Sequence, residues 1–222
     1  MRTNTELSHF NHSQRMEIKM RILVACEYSG KVRNAFRAKG HHAVSCDLIP
    51  SDDNSPHHII GDVRDVIESQ EKYEPRFQFD LMIAHPPCTY LANSGVSWLH
   101  KDESRWAKLD EGAEFFSYLL NCNIPKIAIE NPIPHRYGVE RIGRKYDQII
   151  QPYEFGHAER KATCLWLKGL PKLIPTSNLK EEMESRPKAL AQRLHYLPPS
   201  KDRWKLRSTT FQGIADAIAD QW

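Results

Sequence analysis

Two short segments carry residue types at a spacing suited to covalent chemistry. Cys88 directly follows Pro86 and Pro87. Consecutive prolines each fix φ and each remove a backbone donor, so the chain leaves the preceding apolar run along a stiff path. A thiol presented that way is positioned, and once ionised it is a nucleophile. The triplet alone also suits a structural thiol, because free cysteine packs as a small hydrophobe. Glu130-Asn131-Pro132 closes the next apolar run. If the two runs are neighbouring parallel strands, their ends lie side by side and bring a carboxylic acid near the thiol. Glu130 by itself could equally cap a helix or join an ion pair.

These residues need a scaffold, and the apolar pattern supplies one. Residues 21–26, 42–46, 58–62, 79–84, 126–129 and 162–167 read as short strands. Helical spacing runs through Val32, Ala35 and Phe36 to a stop at Gly40, and covers residues 63–73, 104–121 and 211–222. Strands alternating with helices predict βαβ units, hence an α/β fold with a doubly wound, largely parallel sheet. Ligands of such sheets sit beyond the carboxyl ends of the strands. The residues there are Glu27-Tyr28-Ser29-Gly30, Asp47, Asp62, His85-Pro86-Pro87-Cys88 and Glu130-Asn131-Pro132. Asp47 is placed to accept from ribose hydroxyls and Asp62 from an adenine amine. The first turn has one glycine and no GxGxxG, which argues against a pyrophosphate cradle. A phosphate-free nucleoside such as S-adenosylmethionine fits better, with Glu27, Tyr28, Ser29, Gly30, Asp47, Asp62 and Pro86 as its expected contacts.

The chain has 222 residues, 40% hydrophobic and 27% charged. This suits one domain with an appendage, and excludes collagen, coiled coil, disulfide scaffold and wholesale disorder. No run approaches the roughly 20 apolar residues of a membrane span. The first residues are polar and show no secretory signal, so a cytoplasmic protein without membrane contact is expected. The five cysteines include no CxxC pair and read as reduced thiols. His41-His42 and His57-His58 lack zinc spacing, and no metal is expected.

Residues 1–19 read as a mobile tail, 20–167 as the catalytic domain, 168–207 as an insert, and 208–222 as a closing helix. The insert holds ten lysines and arginines against four acidic residues, whereas the whole chain has a net charge of only +3. Basic residues interleaved with Tyr196 and Trp204 suit a phosphate-backbone surface, with Arg203, Lys205 and Arg207 among the contacts. A solvated basic loop is the plainer alternative.

Pro86-Pro87-Cys88 and Glu130-Asn131-Pro132, in this order on successive strand ends, resemble the PPC and ENV-type motifs of the DNA (cytosine-5) methyltransferases. The resemblance covers residues 21–167 and the last fifteen, and implies the class I S-adenosylmethionine-dependent methyltransferase fold. It further implies that Cys88 attacks C6 of a cytosine while Glu130 holds N3 and the exocyclic amine, before C5 takes the methyl group. The family's QxRxR segment aligns with Glu159-Arg160-Lys161-Ala162-Thr163, which makes Lys161 a catalytic candidate and Arg160 a substrate contact, beside Pro87 and Asn131 of the other two motifs. Thr89 stands where the family has glutamine, and 168–207 is a small target-recognition region. A compact enzyme of this kind is similar to phage-encoded methyltransferases that protect their own DNA against restriction, in a bacterial or phage-infected cell. A monomer is expected.

Three substrates stay open: duplex DNA, single-stranded DNA and a free nucleotide. Two other functions also stay open. An exocyclic-amine DNA methyltransferase would use the same fold and a Pro-Pro turn, but with an aromatic ring after the prolines, where this chain has Cys88 and reaches Tyr90 only two residues later, so it ranks second. A catalytically inactive relative would only bind DNA or nucleotide.

Overall fold

In the computed structural model, which describes residues 19–70, 72 and 78–222, the first apolar run is strand β1 (Arg21–Ala25). Its side chains leave alternately on two faces: Ile22 and Val24 enter one core, Leu23 and Ala25 the other. Strands buried on both sides read as continuous apolar runs, which is why this one shows in the sequence. The same alternation holds for β4 (Leu81–Ala84) and β7 (Thr163–Lys168), where Leu165 and Leu167 face away from Cys164 and Trp166.

The other strands are β2 (His42–Asp47), β3 (His58–Ile60), β5 (Lys126–Pro132) and β6 (Gln148–Ile150). Their order across the sheet is β3-β2-β1-β4-β5-β7-β6. The first five strands run parallel, and β7 lies antiparallel to both β5 and β6. This mixed seven-stranded sheet with helices on both faces bears out the expected α/β fold with a largely parallel sheet.

One face is covered by α1 (Lys31–Ala38) and α9 (Gln212–Gln221), which pack on each other through Phe36, Ile214 and Ile218. The other is covered by α2 (Val63–Gln70), α4 (Ser104–Asn121) and α5 (Arg136–Ile142). Phe116 of α4 meets the fully buried Trp166 edge-on, with centroids 4.8 Å apart. Burying such a phenylalanine contributes roughly 1.5–3 kcal/mol.

Several elements differ from expectation. β5 does not stop at Ile129, because β7 pairs with it through Pro132 and sets Glu130 opposite Leu165. Helices α3 (Val96–Leu99) and α5 and strand β6 were not foreseen, being too short to show a period. Segment 168–207 is more regular than its sequence suggests, with α6 (Lys180–Ser185), α7 (Lys188–Ala191) and α8 (Arg203–Ser208). Met183 and Ala191 pack there on Ala158. The expected tail, up to residue 18, and the end of the helix expected at 63–73 lie outside the described residues. Among the described residues no helix is long and apolar enough to cross a membrane.

Candidate active site

The parallel register of β4 and β5 builds the centre of the site. Ala84 pairs with Ile129, so the next residues, His85 and Glu130, emerge side by side. His85 Nδ1 lies 2.8 Å from Glu130 Oε2. One step further, Asn131 Nδ2 donates to the Pro86 carbonyl at 3.3 Å. Glu130 is therefore bonded to His85, and its charge is felt by the Cys88 thiol. After the two prolines the chain turns at Cys88, whose carbonyl accepts from the amides of Leu91 (3.1 Å) and Ala92 (2.9 Å).

Residues following β5 clamp this turn. The Asn93 amide donates to the Ile133 carbonyl at 2.8 Å. His135 Nδ1 accepts from the Gly138 amide at 3.0 Å, which leaves its proton on Nε2 to donate to the Tyr90 carbonyl at 2.7 Å. Gly95 comes so close that a Cβ there would stand 2.8 Å from the Thr89 carbonyl oxygen.

The charges of these groups are coupled. Burial raises the Cys88 thiol above its ordinary range and the Glu130 charge adds to this, while Lys161 and Arg207 pull it back. Burial also opposes the charged forms of Glu130 and His85, but each is outweighed by the other. The hydrogen bond holds Glu130 below the usual carboxylate range, with help from Lys161, and holds His85 above the usual imidazole range. Glu130 and His85 thus form a hydrogen-bonded pair in which each favours the charged form of the other, within reach of Lys161.

A single cavity of about 1680 Å³ connects this centre to the strand ends. Its wall runs from Cys26, Tyr28, Asp47, Leu48, Asp62 and Val63, past His85, Pro87 and Cys88, to Arg160, Lys161 and Arg207. Asp47, its carboxyl raised by burial and steadied by the Ile49 amide at 3.3 Å, faces the cavity as expected. Asp62 also reaches it, with its carboxylate already paired to Arg64 (2.5 Å), which lowers its pKa. These carboxylates with the apolar walls of Leu48, Val63 and Phe115 fit the nucleoside part of S-adenosylmethionine.

Other expected contacts are spent elsewhere. Glu27 is 3% exposed and accepts the amides of Val32 (2.7 Å) and Arg33 (3.2 Å), capping α1. Ser29 donates to Glu27 at 3.4 Å, and Gly30 precedes the helix at φ +69°, a conformation that strains other residues. Glu27, Ser29, Gly30 and Pro86 do not line the cavity, and neither do Glu130, Asn131, Arg203 and Lys205. Tyr28 lines it, but its hydroxyl donates to the Lys205 carbonyl at 2.7 Å and ties α8 to the first turn. Lys205 Nζ in turn pairs with Asp52 at 3.2 Å, and Arg203 Nη2 lies 3.5 Å from the His195 carbonyl.

Two parts of the site go beyond the sequence reading. His85 was placed at a strand end but given no partner, although it stands one residue past its strand, as Glu130 follows Ile129, and that parallel offset was the signal. The second part is a polar network around the fully buried Arg33, which donates to Ser45 Oγ at 2.8 Å and pairs with Asp53. Ser45 Oγ donates to His58 Nδ1 at 2.9 Å, leaving Nε2–H for the Ile49 carbonyl at 2.9 Å. The network fixes the chain after Asp47, and no local pattern announces it.

No family model and no curated protein matches the sequence. Among solved structures, the chain is similar to a DNA modification methyltransferase encoded within an E. coli prophage, at TM-score 0.47 and 13% identity over 76% of this chain and 56% of that one. It is also similar to a methyltransferase of Entamoeba histolytica, at TM-score 0.46 and 16% identity over 72% of this chain and 57% of that one. The chain thus spans a little over half the length of each. A likeness of this extent carries no argument about chemistry, which rests on the residues themselves.

Proposed function

We propose that this protein transfers a methyl group from S-adenosylmethionine to C5 of cytosine in DNA, through a covalent bond between Cys88 and C6. One observation carries the reading: the Cys88 turn and His85, which is bonded to Glu130 behind it, meet at a cavity that continues to Asp47 at the end of β2. In this reading 20–167 is the catalytic domain, 168–207 the target-recognition insert and 208–222 its closing helix.

Each group then has a task. Lys161 and Arg207 favour the Cys88 thiolate against burial, and that thiolate forms the bond to C6. The ring's π electrons shift toward C5 and N3 as the bond forms. The exocyclic amine donates to Glu130, and the proton of His85 passes through Glu130 to N3 as negative charge develops there. Asp47 holds the ribose of the cofactor, with the adenine against the walls of Leu48 and Val63. Bound S-adenosylmethionine supplies an electrophilic methyl group for C5. Water then takes the C5 proton, Cys88 leaves as a thiolate with the electrons of the C6–S bond, and the N3 proton returns through Glu130 to His85, which restores the aromatic ring.

A second reading, a relative that binds DNA without turnover, draws support from the Cys88 thiol lying above its ordinary range. Product analysis separates the two. The protein is incubated with S-adenosylmethionine and duplex DNA, single-stranded DNA or deoxycytidine monophosphate, and the nucleosides are identified by mass. 5-Methyldeoxycytidine that disappears in Cys88→Ser is the expected outcome. N4-methyldeoxycytidine would point to amine transfer, and binding without product to the inactive relative.

A further inference from the structure

Both tryptophans of the cavity wall stand half in solvent: Trp98 is 54% exposed and Trp204 53%. They come from different elements, Trp98 from α3 shortly after Cys88 and Trp204 from α8 in the basic insert. Each has an ammonium group close by. Lys101 Nζ is 4.9 Å from the Trp98 ring centroid, and Lys205 Nζ is 5.8 Å from that of Trp204. Tyr28 backs Trp204 at 5.5 Å, so this ring is held in place. Large aromatic faces kept in water at a cavity mouth mark a binding surface.

Open rings beside cations suit single strands, whose bases stack on the ring while their phosphates meet the charge. Duplex DNA hides the faces of its bases and shows only edges, which are read by an element that enters a groove. The helices of the insert have only six, four and six residues. Six residues span about 9 Å. They are also tied down, Met183 and Ala191 onto Ala158 and α8 onto Tyr28.

We infer that the DNA substrate is single-stranded, with bases flanking the target cytosine stacked on Trp98 and Trp204 and its phosphates met by Lys101 and Arg207. This rests on the cytosine methyltransferase reading above and deepens it. The test is fluorescence anisotropy with a labelled cytosine-containing oligonucleotide of roughly 15 nucleotides, single-stranded and as a duplex. The single strand binds at least tenfold tighter. Trp98→Ala and Trp204→Ala each weaken its binding by about fivefold to a hundredfold, and Trp98→Phe and Trp204→Phe recover most of the loss. Equal or tighter binding of the duplex by the unaltered protein, or alanine variants that bind the single strand like it, would overturn the inference. Methylation of duplex with no strand preference would sink this inference and spare the proposed chemistry. Tight, tryptophan-dependent binding of the single strand without any methylated product would do the reverse.

Discussion

His85 Nδ1 sits 2.8 Å from Glu130 Oε2, one residue past the last paired positions of two parallel strands. The contact follows from register: any two residues that directly extend Ala84 and Ile129 must be neighbours. It pairs the acid of the site with a titratable imidazole, and thereby ties the chemistry of the site to pH.

The pH dependence of stability has a defined sign. His85 is raised above its ordinary 6.5, so its contribution is complete below that value and is lost as pH rises through the folded pKa. Glu130 is lowered below its ordinary 4.5, so its contribution is present above that value and is lost as pH falls through the folded pKa. The pair therefore stabilises most between 4.5 and 6.5. Thermal unfolding of the unaltered protein and of His85→Gln should differ most in that window and converge at alkaline pH. A difference that is constant across pH would refute this pairing.

Cys88→Ser should lower methyl transfer by roughly three orders of magnitude or more, as removal of a nucleophile does elsewhere. Its binding of S-adenosylmethionine, measured by calorimetry, should persist, because the cofactor contacts lie toward Asp47. Ordinary turnover in this variant would remove Cys88 as the nucleophile.

The Cys88 thiol should respond to its charged neighbours in opposite directions. Lys161→Gln should raise its pKa, and Arg207→Gln should raise it less, since Lys161 exerts the larger pull. Glu130→Gln should lower it. The midpoint of iodoacetamide alkylation against pH reads each shift. Midpoints that stay fixed across all three variants would show that these charges do not reach the thiol.

Glu27→Ala tests whether the first turn binds cofactor or caps a helix. Loss of a cap costs about 1–2 kcal/mol of stability, which denaturant unfolding would register. A drop in S-adenosylmethionine affinity with stability intact would instead restore Glu27 as a cofactor contact.

The centre of the sheet was legible in the sequence because its strands are buried on both faces. Such strands must be apolar at every position, so β1, β4 and β5 stand out as runs, and the 18-residue α4 shows its full period. The tips followed, since polar residues end apolar strands: Asp47, Cys88 and Glu130 were found one by one. Elements of three to seven residues, such as β6 and α5, left no period to detect.

What the sequence determined by itself was the set of chemical groups and the strand ends that carry them, because composition and spacing are local properties. Their partners were decided by tertiary structure. Glu130 meets His85 because of strand register, Glu27 turns inward because the amides of α1 need an acceptor, and Tyr28 holds Lys205, 177 residues away in the chain. A side chain bonds to whatever the fold brings within about 3 Å, and no local pattern states which distant residue that will be.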